Sequence, residues 1–362
     1  MKKVILIGAG QTGRGYLARL LSLSGQPFVF LDKNEALIEA LRSAGSYKIS
    51  FGGSEREPLE IKVSEACVMG SAEAAEALAD ADFIFTSIAE QNLPQLIPAL
   101  QQAVRERTKP EPLKLITCEN GVSPKKKLEG VIPEELLVLS EAVIFCTTLK
   151  AESGLDILSE DLDWLPYDVK ALGETLSWHG MEAEEHFPEL LERKIYTYNC
   201  LSACVTYPGA ALGYENYAEA ANDPAIEEIM KKALESLSKS LAAHYGIIEQ
   251  DQHEFAMRAV RKFQNRSIRD TIERNARDVQ RKLGPKERMI APLLIMKQYG
   301  ADTSALEEVI AAAVLYGRKT GTIQLKGEPV VDPIERLPEL CPDLAPETVK
   351  AIRTYYRKYE NR

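Results

Sequence analysis

Gly8, Gly10 and Gly13 stand in the spacing Gly-x-Gly-x-x-Gly, after the apolar run Val4-Ile-Leu-Ile7 and before a helical pattern carrying Tyr16, Leu17, Leu20 and Leu21. Gly8 permits a tight strand-to-helix turn, Gly10 lets backbone approach a pyrophosphate, and Gly13 lets helix and strand pack closely. The N–H groups at the helix start, with Gln11 and Thr12 in the loop, and the positive end of the helix dipole would hold the phosphates. A second apolar run, Phe28-Val-Phe-Leu31, ends in Asp32, 19 residues past Gly13. A carboxylate at that offset bonds a ribose 2′-hydroxyl and repels a 2′-phosphate, so the expected cofactor is NAD rather than NADP.

Two asparagines and a lysine could act beside such a cofactor. Asn120 lies in Thr117-Cys-Glu-Asn-Gly121, just past a strand-like run. Lys194 and Asn199 lie in Arg193-Lys-Ile-Tyr-Thr-Tyr-Asn199. Oxidising an alcohol needs a base for the hydroxyl proton and donors for the developing alkoxide. A lysine with a lowered pKa can be the base, and amide N–H groups can hold the oxygen. On a regular helix Lys194 and Asn199 would sit about 140° apart, from 3.6 residues per turn. On residue types alone, a solvated lysine and a satisfied core asparagine are the simpler reading of this pair. The six cysteines are scattered with no Cys-x-x-Cys pair, which points to reduced thiols and no zinc.

Between Arg258 and Arg288 stand eleven Lys and Arg against four acids, in a chain of net charge −10. One reading is a helix face laced with i, i+4 ion pairs such as Asp270–Arg274. The other is a set of cations that bind a sugar phosphate, with Arg277 and Arg281 one turn apart and Lys282 beside them. The acidic balance and the lack of interleaved aromatics argue against nucleic acid and an anionic membrane surface.

The elements that must position these groups follow from periodicity. Strands are expected at 3–7, 27–31, 83–88, 113–118 and 136–146, with one or two short extra strands in 47–63. Helices are expected around 13–24, 34–44, 71–79, 92–106 and 124–129. This alternation predicts an α/β fold, a doubly wound Rossmann-type dinucleotide-binding domain over 1–190. Beyond it helices are expected near 194–207, 223–246, 251–263, 267–282, 286–299, 303–317 and 346–358, an all-α substrate domain over 191–362, with Thr320–Ala345 irregular. At 362 residues the chain is long enough for two cores. With no signal-peptide architecture at its start and no apolar run near the ~20 residues that span a bilayer, it is expected in the cytoplasm.

The sequence resembles the polyol-specific long-chain dehydrogenases along nearly its whole length. Gly8-Ala-Gly-Gln-Thr-Gly-Arg-Gly15 is similar to that family's glycine loop, and Cys118-Glu-Asn120 to its Cys-Glu-Asn element. Lys194 and Asn199 fall on its Lys-x-x-x-x-Asn-x-x-His helix. Asn265, Asp270, Arg274 and Arg281-Lys-Leu283 resemble the arginine-rich part of its second domain. The resemblance implies Lys194 as general base, Asn120 and Asn199 as alkoxide donors with Asn120 also at the cofactor, and a substrate site between the two domains. It departs in two places. Ser202 falls where the motif has histidine, and Ile144-Phe145 follows Ala142-Val143 where the family often has Asp-Arg. The implied function is NAD-dependent, metal-independent interconversion of a polyol phosphate, of the mannitol 1-phosphate kind, and a ketose phosphate, by a monomer or small homo-oligomer. The alternatives are a dehydrogenase of another polyol or hydroxy acid, or an NAD(H)-binding protein without catalysis.

Overall fold

The computed structural model describes residues 2–121, 123–151, 154–323, 334 and 337–361. The chain divides into two compact units, Met1–Leu191 and Glu192–Arg362.

The first unit is built on six parallel strands. In chain order its strands are β1 (Val4–Ile7), β2 (Phe28–Asp32), β3 (Ser46–Phe51), β4 (Leu59–Lys62), β5 (Glu65–Val68), β6 (Phe83–Thr86), β7 (Leu113–Thr117) and β8 (Leu137–Glu141). The main sheet runs β5-β2-β1-β6-β7-β8. That is the doubly wound order, with its switch point between β1 and β6. β1 is buried on both faces: Val4 and Leu6 join one core, Ile5 and Ile7 the other. This explains why it reads as an unbroken apolar run rather than an alternating one. A π-helical turn over Gly13–Leu17 leads into α1 (Ala18–Leu23), and α2 (Glu35–Ala44), α3 (Ala72–Ala79) and α4 (Ile97–Glu106) follow. β5, which falls outside the strands expected from periodicity, is the sheet edge; it is only four residues long and alternates poorly.

A second sheet runs β4-β3-β10-β9, with β9 (Thr148–Lys150) and β10 (Ile157–Ser159). β11 (Leu165–Asp168) and β12 (Met181–Glu184) form a parallel pair flanking the short α5 (Val169–Leu172). These four strands fall outside the expected spans: β9 and β10 are three residues long, β11 carries Pro166, and β12 is Met-Glu-Ala-Glu, so none shows the apolar run that marks β1. Arg19 explains how this layer is fixed. Its side chain is fully buried; it pairs with Asp163 at 3.0 Å and donates to Ser159 Oγ and to the carbonyls of Glu160 and Leu162. The Ile144-Phe145 pair is spent on packing: Phe145 stacks on Trp164 with centroids 4.7 Å apart.

The second unit is helical. The unit boundary falls within α6 (Phe187–Lys194), and a π-helical turn over Ile195–Asn199 continues into α7 (Cys200–Leu212). Then come α8 (Tyr217–Ala221), α9 (Pro224–Tyr245), α10 (Glu249–Phe263), α11 (Ile272–Ala276), α12 (Val279–Lys282), α13 (Ile290–Gln298), α14 (Ser304–Thr320), α15 (Leu337–Leu340) and α16 (Pro346–Glu360). α7 is the hub, packed on α9, α11 and α14 and buried along most of its length. The helix expected over 267–282 is instead two short ones. Asp278 between them takes a left-handed φ of 58°, which a helix cannot carry. Likewise 124–129 holds only a 3₁₀ turn, Pro124–Lys127, and α13 begins at Ile290, past Pro285. Of the segment read as irregular, 324–333 and 335–336 lie outside the described residues, and Leu337–Leu340 within it forms α15.

The glycine loop gives a paired prediction. A Cβ on Gly13 would lie 1.9 Å from the Gly8 carbonyl oxygen, whereas a Cβ on Gly10 would meet nothing within 4 Å. Gly13→Ala is expected to destabilise the protein by at least about 1–3 kcal/mol, the usual cost of overpacking, and Gly10→Ala to leave the thermal midpoint within error. Equal melting of the two variants would contradict this reading of the loop.

Candidate active site

The loop after β1 is held from several sides. Gly8 turns at φ 101° and donates to the Leu31 carbonyl. Its own carbonyl accepts from Ser87 Oγ at 3.1 Å. Asp32, at the end of β2, accepts the Ala9 N–H at 2.7 Å and the Asn34 N–H at 2.9 Å. A carboxylate offers about four lone-pair sites, so each oxygen keeps capacity for a further donor. Gly10 is exposed and faces open space. The residues present therefore fit a dinucleotide: open backbone at Gly10, and a half-exposed carboxylate at Asp32 beside it.

Asn120 is exposed just beyond β7. Its neighbour Glu119 is buried and shapes the strand ends. Glu119 accepts from Thr86 Oγ1 at 2.9 Å and from the Ile88 N–H at 3.0 Å, tying the exit of β6 to that of β7. Burial pushes its carboxyl pKa up while these two donors pull it back.

In the helical unit Lys194 is 4% exposed. Burial, with the like charges of Arg288 and Lys262, brings its pKa down to about 7. Its geometry with Asn199 differs from the regular-helix expectation. The π turn closes i→i+5 bonds, Cys200 N–H to Ile195 O among them, so residues five apart lie roughly one turn apart rather than on opposing faces. Lys194 and Asn199 are such a pair. Gln252 of α10, fully buried, anchors this stretch: it accepts from Arg193 Nε at 2.6 Å and donates to Thr197 Oγ1 at 2.8 Å. Nothing in the sequence marked Gln252, because its role exists only once α10 lies on the π turn.

Ser202 is half-buried one turn further on, and its Oγ accepts from the Tyr217 hydroxyl at 2.9 Å. That leaves the Ser202 hydroxyl hydrogen to donate elsewhere.

The basic stretch divides into two parts. Arg274 pairs with Asp270 at 2.7 Å, the i, i+4 pair read from the sequence, and is largely exposed. Arg277 and Arg281 are not one turn apart on one helix, because the break at Asp278 separates them, and Arg277 is exposed. Lys282 is buried, donates to the Asn275 carbonyl at 2.7 Å, and has its pKa brought down to about 7 by burial and by Arg288 and Arg281. Glu287 joins Arg281 at 2.6 Å and Arg288 at 3.3 Å. Arg288 was counted in the sequence but not singled out; only the fold shows that it is the like charge acting on both buried lysines. Between pH 7 and 10.5 each lysine holds a proton in the unfolded chain that it has released in the folded one. Both therefore add stability as pH rises through that window and detract from it below. Among the described residues no group of three or more His, Cys, Asp or Glu could hold a metal ion, and no helix is long and apolar enough to cross a membrane.

Two family models match the chain: the mannitol dehydrogenase Rossmann domain over residues 2–149 and the mannitol dehydrogenase C-terminal domain over 187–339. Mannitol-1-phosphate 5-dehydrogenase of Oceanobacillus iheyensis is 29% identical over 87% of this chain and 87% of its own length. The enzyme of that name from Neurospora crassa is 29% identical over 88% and 86%. Among solved structures, Pseudomonas fluorescens mannitol 2-dehydrogenase, a ternary complex with NAD and D-mannitol, superposes with a TM-score of 0.79 at 16% identity, covering 99% of this chain and 92% of that one. A D-sorbitol dehydrogenase gives 0.75 at 13% identity, covering 99% and 93%. With both of its domains matched in order, the chain belongs to the mannitol dehydrogenase family.

Proposed function

We propose that the protein is an NAD-dependent, metal-independent polyol-phosphate dehydrogenase, interconverting a sugar-alcohol phosphate of the mannitol 1-phosphate kind and the corresponding ketose phosphate. The observation that carries this reading is Lys194: a lysine buried from water, with its pKa near 7, on the π turn that also carries Asn199. A lysine so placed is half neutral near physiological pH and can take or return a proton without a metal. The names of the two relatives, and the NAD held by the mannitol 2-dehydrogenase structure, support the substrate class and the cofactor.

In this reading bound NAD supplies the hydride acceptor. Gly8, Gly10, Gln11, Thr12 and Gly13 would hold its pyrophosphate, Asp32 its adenosine ribose, and Asn120 would lie at its reactive end. Neutral Lys194 removes the hydroxyl proton, and the amide N–H groups of Asn120 and Asn199 stabilise the oxygen as charge develops. Ser202, whose oxygen accepts from Tyr217, can donate its hydroxyl hydrogen to a substrate oxygen. Lys282, Arg281 and Arg288, with Arg277 near the break before α12, take the phosphate, a dianion that their excess of positive charge over Glu287 would favour. The enzyme would act on a diffusible substrate in the cytoplasm, as a monomer or small homo-oligomer.

Assaying polyols, polyol phosphates and hydroxy acids with NAD and NADP in parallel tests the whole reading; turnover confined to hydroxy acids, or none with any of them, would reject it. Asp32→Ala is expected to weaken NAD binding and narrow the margin over NADP, and equal affinity of the unaltered protein for both cofactors would contradict the role of Asp32.

The pH dependence follows from the sign of the shift on Lys194. Oxidation needs the neutral amine, so kcat/KM for the polyol should rise through about pH 7 and level off above it. Reduction needs the ammonium and should fall over the same range. Lys194→Ala should lower turnover by about 10²- to 10⁴-fold. Arg288→Met, by removing a like charge, should move the midpoint upward. A flat profile in both directions would exclude Lys194 as the base.

For the phosphate, Arg281→Ala should raise KM for mannitol 1-phosphate about 10- to 150-fold, the value of a charge-assisted hydrogen bond of about 1.5–3 kcal/mol, and leave KM for mannitol nearly unchanged. Equal losses on the two substrates would remove the phosphate from these residues.

A further inference from the structure

We propose that Arg14 is a positioning residue for the cofactor's pyrophosphate, acting through the Ala9–Gly10 peptide; this rests on the cofactor reading given above. Arg14 is 3% exposed, although it sits in the first turn after the glycine loop. Its Nη1 donates to the Ala9 carbonyl at 2.8 Å. On the other side of the same residue, the Ala9 N–H donates to Asp32 at 2.7 Å. Ala9 is thus held at both of its backbone polar groups, one by a buried cation and one by a carboxylate.

The consequence lies on Gly10. No peptide in the described chain is cis, and in a trans peptide the C=O and the following N–H point in opposite directions. With the Ala9 carbonyl turned inward to the guanidinium, the Gly10 N–H is turned the other way. Gly10 is exposed, and a Cβ there would meet nothing within 4 Å. The N–H is therefore presented to the open side of the loop, ready for an anionic oxygen. Without Arg14, the carbonyl would be free to rotate outward and present its negative end to the phosphates. The guanidinium also places a positive charge behind the loop. It is retained despite the burial that lowers its pKa, and the Asp32 carboxylate helps to hold it. Tyr47 touches Arg14 differently, donating from its hydroxyl to the Arg14 backbone carbonyl at 2.8 Å.

Fluorescence titration of NADH and competition by ADP-ribose and adenosine test the assignment. Arg14→Met is expected to weaken NADH and ADP-ribose alike, by about 10- to 100-fold, the range for losing hydrogen bonds that involve a charged group. Adenosine, which lacks the pyrophosphate, should bind as before. Arg14→Lys, whose ammonium can still donate to the Ala9 carbonyl, should recover most of the affinity. Tyr47→Phe removes a bond to Arg14 from the same pocket but leaves the Ala9 carbonyl anchored, and should bind NADH normally. A folded Arg14→Met that binds NADH as tightly as the wild type would overturn the inference. So would a loss shared equally by adenosine, or one matched by Tyr47→Phe. Should Arg14→Met fail to fold, the amide resonances of the wild-type protein decide. ADP-ribose must move the Gly10 N–H signal further than that of Ala9, and the reverse order overturns the inference. Wild-type protein that binds no NADH overturns the cofactor reading and this inference with it, whereas equal binding by wild type and Arg14→Met overturns this inference alone.

Discussion

Taking an ammonium out of water favours its neutral form, and that constraint shapes the helical unit. Lys194 and Lys282 are both buried, and burial together with the like charge of Arg288 brings both pKa values down to about 7. Arg281 and Arg288 share Glu287, and the charges of Asp278 and Glu287 partly offset the shift on Lys282. Perturbed groups of this kind concentrate where chemistry is done.

Two π-helical turns serve related ends. One follows the glycine loop over Gly13–Leu17, the other carries Ile195–Asn199. A π turn is a poorer helix than an α turn, and it persists where neighbouring structure over-determines it. In the first unit the Tyr47 and Arg14 contacts hold the loop side of the turn. In the second, Gln252 grips Arg193 and Thr197, on either side of Lys194 and within the widened turn. In the second case a lysine and an asparagine that a regular helix would set far apart share a face.

Ser202 stands where the resemblance places a histidine. An imidazole can carry charge and shuttle a proton; a serine hydroxyl can only donate and accept. The buried Tyr217 donates to that hydroxyl oxygen and leaves the serine hydrogen and one lone pair for another partner. The Ile144-Phe145 pair departs without consequence for the fold, because the apolar side chains are absorbed into packing against Trp164 and the first unit's core.

The sequence by itself determined the parts that depend on local pattern. The apolar β1 run, the glycine spacing and Asp32 at the end of β2 are short-range features, and together they specified the cofactor loop and the parallel sheet around it. The Asp223-Pro224 start and Gly246 stop bounded α9 for the same reason: caps act within one turn. Tertiary structure decided the rest. Strands of three or four residues, such as β9 and β10, carry too little periodicity to be read and exist because Arg19 and the second sheet hold them. The break at Asp278 turned an expected single helix into two and separated Arg277 from Arg281. Residue types named Lys194 only as a lysine. Its burial, its lowered pKa and its alignment with Asn199 arise from neighbours distant in sequence, Arg288 and Gln252 above all, because the energy of a charge depends on what surrounds it in space.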